Sequence, residues 1–352
     1  MSVHAANKRL LATFLHGLAN GDERRQLDAF CHQDCRFEIF HPFNTIEGLD
    51  AIAERFFLPL RAAFPNYEQR IAFVIGGEYE GREMVSSWGY VLGTFDAPWI
   101  GIPPTYGLAY LNFGINAVVR DGKIAKAYIL LDIVDLMRQA GHYPFRDAPG
   151  VSELWPFPPC DTGATALAHD PVRGAESLRI VREMQVGLPK THEIQARLDQ
   201  PAPHSPNWHE KMGWYGPAGI GSMRGHRGFR DFHGALFLQA FPDRTGFQRQ
   251  EGGAEDAPGH YIRLGDGLYA VTGGNPSLHG THTGSEWLGL PPTGRHVEMR
   301  VADWYRLDED GKIYDNWVAI DIPHIVKQMG LDIFHDLEFF VDRSRKRIRL
   351  PQ

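Results

Sequence analysis

The chain has 352 residues, of which 43% are hydrophobic and 22% are charged, and its formal net charge is −7. The length fits two domains of about 150 residues, and the acidic balance argues against nucleic acid as a partner. The sequence has no apolar run long enough to cross a membrane, no secretory signal and only three cysteines. We therefore expect a cytoplasmic protein without membrane contact or a disulfide framework.

The first part of the chain reads as helices followed by strands. Amphipathic helices are predicted at 7–19, 23–32 and 48–64. Runs rich in β-branched and aromatic residues predict strands at 70–74, 84–94, 106–119 and 123–131, and a helix at 133–140 closes the copy. Asp121-Gly122 is a hairpin turn between the last two strands. This order predicts an α+β fold in which a curved antiparallel sheet wraps about three helices, forming a cone whose mouth could hold a ligand.

The same plan returns after a proline-rich stretch. Residues 99–105, Trp-Ile-Gly-Ile-Pro-Pro-Thr, reappear at 287–293 as Trp-Leu-Gly-Leu-Pro-Pro-Thr. Asp-Gly-Lys-Ile at 121–124 reappears at 310–313. The sequence thus predicts two copies of one domain. The predicted parts are a first domain (1–145), a linker (146–173), a second domain (174–340) and a solvated basic tail (341–352).

Length differences between the copies fall in one loop. Gly48 and Phe64-Pro65 match Gly225 and Phe241-Pro242 at an offset of 177, whereas the tryptophan motif has an offset of 188. The extra residues are expected in the polar loop 249–259. The longer polar loop 243–259 could cover a pocket mouth, but such loops are more often simply exposed.

Two aspartates of the second copy are candidates for acid–base chemistry. Period-two alternation places Asp303 on an apolar strand face with Met299 and Tyr305, and it places Asp321 on a face with Trp317. Two carboxylates on neighbouring strands of an apolar wall would have separated pKa values, as acid–base catalysis requires. The alternative is that Asp321 caps the helix that begins near Pro323, as Asp132 would in the first copy. The two roles are compatible.

The histidines and cysteines give weaker indications of function than the two aspartates. His279 and His282 lie three apart and would point to opposite faces of a strand, so we predict no metal site. His282 is a candidate hydrogen-bond donor in the pocket, whereas His233 is expected to be solvated or packed. Cys31 and Cys35 are interpreted as buried thiols on one helical face.

Several of these residues together resemble a known family. Trp287 to Arg295, preceded by Thr281-His282-Thr283-Gly284, is similar to the signature of the SnoaL-like polyketide cyclases, as is Asp310 to Ile313 followed by Trp317 and Asp321. These cyclases belong to the NTF2-like superfamily of cone-shaped α+β domains. The resemblance implies an aldol-type ring closure on a hydrophobic, carbonyl-bearing small molecule, without metal or cofactor. It implies Asp321 as the acid/base, with the further pocket residues Asp303, His282, Arg295, Trp317, Trp287, Trp304, Tyr305, Met299 and Asp132.

The first copy resembles the family more weakly. Ile115 falls near the Asp303 position and Tyr128 replaces Trp317, although Asp132 remains. We expect this copy to be catalytically reduced, or to act as a covalently attached partner in an intrachain pseudo-dimer that could assemble further into a homo-oligomer. Because a fold does not settle a reaction, a non-catalytic binding protein and a related isomerase, dehydratase or hydrolase stay open as alternatives.

Overall fold

The computed structural model describes residues 2–152, 155–158, 169–247, 254 and 257–340. Backbone contacts divide the chain into two compact units, with a boundary between Pro144 and Phe145. The segment from Asp332 onward belongs to the first unit, where the Leu337 carbonyl accepts a hydrogen bond from His142 Nδ1 (3.0 Å). Residues 146–152 and 155–158, within the predicted linker, belong to the second unit, as does Phe145, which was predicted to end the first domain. The predicted basic tail and Cys160 lie outside the described residues.

The first unit carries helices on a six-stranded sheet with the order β2-β1-β6-β5-β4-β3. Its strands are β1 (Cys31–Ile39), β2 (Asn44–Glu47), β3 (Glu68–Tyr79), β4 (Arg82–Thr94), β5 (Leu108–Arg120) and β6 (Lys123–Leu131). Its helices are α1 (Val3–Leu18), α2 (Glu23–Phe30), α3 (Leu49–Ile52), a π-helical turn (Ala53–Phe57), α4 (Leu58–Ala63) and α5 (Ile133–Gln139), and a 3-10 turn spans Leu337–Phe339.

The second unit carries α6 to α9 on a seven-stranded sheet with the order β8-β7-β13-β12-β11-β10, and β9 pairs with β11. Its strands are β7 (Trp208–Tyr215), β8 (Ser222–Arg224), β9 (Thr245–Gly246), β10 (His260–Asp266), β11 (Tyr269–Thr281), β12 (His296–Leu307) and β13 (Ile313–Ile320). Its helices are α6 (Pro171–Gln195), α7 (Gly225–Phe229), a π-helical turn (Arg230–Gly234), α8 (Ala235–Ala240) and α9 (Ile322–Met329).

The two sheets have the same strand order, and the predicted α+β class, with helices and a mostly antiparallel sheet in each unit, is confirmed. One detail differs from the prediction, because each sheet contains a parallel pair, β1 with β6 and β13 with β7, among antiparallel neighbours. No helix in the described part of the chain is long and apolar enough to span a bilayer.

Local features repeat at the offset of 177 that the sequence shows. The five-residue π-helical turns Ala53–Phe57 and Arg230–Gly234 occupy equivalent places. Gly48 (φ 83°) and Gly225 (φ 69°) both have positive φ where the chain enters this helical segment, a conformation that glycine adopts without steric cost. The same sequence plan therefore produces the same backbone in both units.

The prediction for Cys31 and Cys35 was half right. Both thiols are buried, as expected, but they lie on strand β1 and not on a helix. Cys31 pairs with Ile124 and Arg36 with Lys126, so a bulge absorbs the residues between them. The three polar residues His-Gln-Asp between Cys31 and Cys35 interrupt the alternation that would predict a strand. Pairing of β1 with β6 stabilises the strand conformation there.

Candidate functional site

The candidate site lies on the helix-facing side of the second sheet, at the middle of β12. Cross-strand pairing sets Asp303 opposite Thr272 of β11 and Val318 of β13, and it sets Tyr305 opposite Asn316. Directly paired residues project to the same face of a sheet. The row Thr272, Asp303 and Val318 and its neighbours Tyr305 and Asn316 therefore form one continuous wall.

Polar groups on this wall bond to one another. The Asn316 amide Nδ2 donates to Asp303 Oδ1 at 3.4 Å, and the Tyr305 side chain makes a further hydrogen bond to the carboxyl of Asp303. Gln185 Nε2 of α6 donates to the Thr272 hydroxyl at 3.0 Å. Since Gln185 is on a helix, this bond also identifies the wall as the one that the helices cover.

The environment of Asp303 holds its carboxyl close to half-protonation at neutral pH. Burial raises the pKa of Asp303 to about 7, against the smaller opposing effect of hydrogen bonds from Asn316 and Tyr305. Burial also raises the pKa of Tyr305 well above its usual value, so the phenol stays protonated. Asp303 nevertheless keeps some accessible surface, whereas Thr272, Val318 and Asn316 are buried. A carboxyl that is partly accessible and has a pKa near 7 suits proton transfer.

His233 is a second polar group on the interior, supplied by the helical side. Its ring stacks on Trp214 (4.3 Å between centroids) and on Phe237 (5.8 Å). Trp214 pairs with Asn316 in the sheet and so belongs to the same wall as Asp303. Burial and the charge of Arg244 lower the pKa of His233 to about 3, which keeps the imidazole neutral. Within the described part of the chain, neither ring nitrogen has a protein hydrogen bond.

A narrow opening reaches His233. A cavity of about 20 Å³, enough for roughly one water molecule, is bordered by residues from the helices and from the loop that carries the tryptophan motif. Its lining includes His233, Leu236, Ile220, Trp287 and Leu288. Sequence reasoning did not select His233, because one histidine on an amphipathic helix carries no signal. Gln185, Thr272 and Asn316 were also missed, since only strand register shows which polar residues meet.

Asp321 lies on the opposite face from Asp303, and the prediction that the two carboxylates share one wall was wrong. The Asp321 amide donates to the Arg300 carbonyl (3.1 Å), and Asp321 Oδ2 lies 3.4 Å from Arg300 Nη1. Arg300 precedes Asp303 by three positions on β12, so their side chains point to opposite faces. The prediction counted alternation within each strand separately, but the cross-strand register decides which residues face each other.

Asp321 acts as the N-cap of α9. Its Oδ1 accepts a hydrogen bond from the His324 amide at 3.3 Å, and its side chain is completely buried. Asp132 does the same in the first unit, where its Oδ1 accepts from the Asp135 amide at 3.1 Å. The capping alternative therefore accounts for both aspartates.

The side chain of His282 makes its hydrogen bonds within its own loop. Its Nε2 donates to the Ser285 carbonyl (3.0 Å), which leaves Nδ1 to accept from the Thr293 amide (3.4 Å) and hydroxyl (3.3 Å). The ring also packs on Phe241, 5.2 Å away. With both ring nitrogens engaged, His282 closes the loop that carries the tryptophan motif.

The remaining predicted pocket residues divide between the two faces. Met299 is buried on the Asp303 face, whereas Trp304 and Trp317 pair with each other on the opposite face. Trp317 Nε1 donates there to the Pro156 carbonyl at 2.9 Å.

Arg295 and Trp287 lie outside the wall of Asp303. Arg295 is exposed, and its guanidinium lies beside Gly330, the residue that ends α9. Trp287 packs edge-on against Phe241 at 5.4 Å and borders the opening near His233.

Comparison with known proteins supports the resemblance for part of the second unit. Residues 275–329 match the family model of the SnoaL-like polyketide cyclases. The matched segment is similar to that family over these residues alone. It contains Asp303, Tyr305 and Asn316, and also Asp321. No curated protein matches the chain.

Solved structures similar to this chain each span about one unit. TsrD from Streptomyces laurentii is 18% identical, and the match covers 39% of this chain and 96% of TsrD with a TM-score of 0.34. IdmH from Streptomyces antibioticus is 17% identical, with 38% and 98% covered and a TM-score of 0.33. A protein from Jannaschia sp. CCS1, provisionally named a SnoaL-like polyketide cyclase, is 16% identical, with 39% and 92% covered and a TM-score of 0.33.

Proposed function

We propose that the second unit is a cofactor-independent acid–base enzyme that acts on a hydrophobic, carbonyl-bearing small molecule. The observation that carries this proposal is Asp303, a partly accessible carboxyl whose pKa burial raises to about 7. The SnoaL-like match over residues 275–329 supports a ring closure of the aldol type. We assign the acid/base role to Asp303 and not to Asp321, because Asp321 is a fully buried helix cap on the other face of the sheet.

Asp303 would move one proton in each direction. Its carboxylate takes a proton from a carbon flanked by carbonyl groups, and the electron pair of the broken C–H bond delocalises onto a carbonyl oxygen as an enolate. The enolate carbon then attacks a second carbonyl of the same molecule, forming a C–C bond and an alkoxide. The protonated Asp303 returns its proton to that alkoxide, so the carboxylate is regenerated and atoms and charge balance.

The surrounding residues would hold the substrate and stabilise its charge. The Asn316 amide and the Tyr305 phenol are hydrogen-bond donors beside Asp303, suited to an oxygen that gains negative charge. The neutral His233 can donate a further hydrogen bond, and its stack with Trp214 and Phe237 offers a flat aromatic surface.

Proton exchange at carbon tests this proposal without knowledge of the natural substrate. 2-Tetralone, a hydrophobic ketone, is incubated with the full chain in D₂O, and loss of its α-proton signal is followed by NMR. We expect wild type to accelerate exchange and Asp303→Asn to lose at least about 100-fold of that acceleration, since a positioned base contributes about 10²–10⁴. Asp321→Asn is the matched control and should retain exchange per folded molecule. Equal exchange by wild type and Asp303→Asn would contradict the proposal.

The aromatic stack of His233, Trp214 and Phe237 also favours a second candidate, a non-catalytic binder of planar apolar ligands. Binding of 2-tetralone to wild type without any accelerated exchange would favour this candidate over the enzyme.

For the first unit we propose a second copy of the same domain type without acid–base chemistry. Ile115, Ala117 and Ala127 stand at the positions of Asp303, Tyr305 and Asn316 in the equivalent strand register. The intrachain pseudo-dimer, the further homo-oligomer and the cytoplasmic location stay predictions.

A further inference from the structure

Two histidines, the half-buried His279 and the exposed His296, meet on the face of the second sheet that is opposite to Asp303. His279 of β11 and His296 of β12 bring Nδ1 and Nε2 to 3.1 Å from each other, with ring centroids 5.0 Å apart. Cross-strand pairing sets His279 opposite Glu298 and Thr281 opposite His296. Spacing along the chain sets His279 near His282, but strand register makes His296 its neighbour.

The other ring nitrogen of His296, Nδ1, has a hydrogen-bond partner that determines which ring nitrogen carries the proton. His296 Nδ1 lies 3.3 Å from the Thr281 hydroxyl, which itself hydrogen-bonds to the Asp243 carboxylate. Asp243 is further held in place by the Thr281 amide at 2.7 Å. Because the hydroxyl proton goes to Asp243, the Thr281 oxygen accepts the proton of His296 Nδ1. The lone pair of His296 Nε2 is thereby directed at His279.

This arrangement has the features of half a metal site. Histidines that bind metals commonly donate their other ring N–H to an oxygen partner, as His296 does to Thr281. With metal–nitrogen distances of about 2.0–2.1 Å, nitrogens 3.1 Å apart subtend about 98° at a shared ion. That angle lies between the square-planar and tetrahedral values, which suits zinc, copper and nickel dications.

We propose that His279 and His296 bind a transition-metal dication on this exposed face of the second unit. The ion takes the place of the proton between the two nitrogens, and that proton moves to His279 Nε2. Water completes the coordination, and Glu298, directly opposite His279, is the nearest carboxylate in the strand pairing. The described part of the chain has no cluster of three or more potential ligands, so these two imidazoles are the core of the site. The bound ion would tie β11 to β12.

Zinc titration of the full chain tests the proposal. Isothermal titration calorimetry with ZnCl₂ in chelator-treated buffer should show a binding event in wild type. His279→Gln and His296→Gln should each weaken that event by at least about tenfold, since even partners of metal ligands contribute about 10–100-fold. His335→Gln, which removes an exposed histidine of the first unit, is the matched control and should bind zinc as wild type does.

A direct readout separates this site from other zinc-binding histidines. In proton NMR spectra, the imidazole signals of His279 and His296 should shift together on zinc addition in wild type. Neither site variant changes a fully buried side chain, so their melting temperatures should stay close to that of wild type without metal. The proposal is overturned if wild type binds no zinc, if either site variant binds zinc as wild type does, or if the two imidazole signals do not respond.

Discussion

The interiors of the two units differ although their sheets share one strand order. Ile115 of the first unit pairs with Ser87 and Ile129, just as Asp303 of the second unit pairs with Thr272 and Val318. Ile115 is 1% exposed and fills its site, whereas Asp303 keeps accessible surface. The first unit thus has a packed apolar residue where the second has a partly accessible carboxyl.

The helical side shows the same difference. Phe56 and His233 are both the fourth residue of their π-helical turn. Phe56 is completely buried among aromatic rings, with Phe57 4.9 Å and Phe43 5.0 Å away. His233 has instead two ring nitrogens that can meet a ligand. The same strand order therefore accommodates either an apolar or a polar interior, according to a few inward positions.

Features that both units share belong to the scaffold. Asp132 and Asp321 both cap a helix, and the side-chain amides of Gln139 and Gln328 both bond the backbone N–H and C=O of a neighbouring strand residue. These residues have the same role in the first unit, whose core is filled by side chains. Their presence in the second unit is therefore accounted for by a role in folding. The comparison therefore directs attention to positions where the units differ.

The comparison predicts its largest effect for a carboxylate placed in the first unit. Ile115→Asp introduces a charge into a packed core with no polar neighbour at the equivalents of Tyr305 and Asn316. We expect destabilisation of more than about 3 kcal/mol, because a buried unpaired charge is costly. Thermal and urea unfolding of the full chain measure this. A mild effect, below about 1 kcal/mol, would show that the first interior also accommodates a polar group.

The Asp303 side chain is expected to lower the free energy of unfolding at neutral pH and above. Its folded pKa of about 7 is raised above the usual 3.8, so the folded state binds the proton more tightly than the unfolded state. The contribution of Asp303 is therefore most favourable below about pH 4 and is lost progressively as the pH rises to about 7. Asp303→Asn should be more stable than wild type at pH 8, by about 1–4 kcal/mol, and should lose this advantage near pH 4. A pH-independent difference would contradict the burial of this carboxyl.

The two capping aspartates should behave alike. Asp132→Ala and Asp321→Ala are each expected to lower stability by about 0.5–2 kcal/mol through loss of the cap, with a further loss for Asp321, whose removal leaves Arg300 without that partner. Unfolding curves of both variants measure this. Loss of 2-tetralone exchange in Asp321→Ala, in molecules shown to be folded by circular dichroism, would return the catalytic role to Asp321.

The smallest expected effect concerns His233. His233→Phe installs the residue of the first unit, keeps an aromatic ring for the stack and removes hydrogen bonding. Affinity for 1-hydroxy-2-acetonaphthone should fall by about 3–10-fold, the value of one hydrogen bond, whereas affinity for naphthalene should stay the same. Fluorescence titration measures both. Equal losses for both probes would show that His233 contributes only to packing.

Much of the scaffold could be predicted from the sequence, and much of the site could not. The strands β4, β5 and β6, the Asp121-Gly122 turn and the repeated plan follow from periodicity and turn residues. Strands β1 and β2 escaped prediction because their polar composition becomes strand only through pairing.

For the site, alternation within β12 correctly placed Asp303 on the apolar face with Met299 and Tyr305. Alternation cannot relate one strand to the next, so Asp321 was assigned to the wrong wall. For the same reason Asn316, Thr272, Gln185 and His233 went unnoticed, since each matters only through its neighbours in space.

The most direct test of the central claim is the pKa of Asp303 in the intact chain. Carboxyl carbon NMR, with Asp303→Asn used to assign the signal, follows its titration from pH 3 to pH 9. The account predicts a midpoint near 7, the value expected of an acid–base carboxyl that burial holds largely away from solvent. A midpoint near 4 would mean that Asp303 is well solvated, and it would contradict acid–base catalysis at this wall.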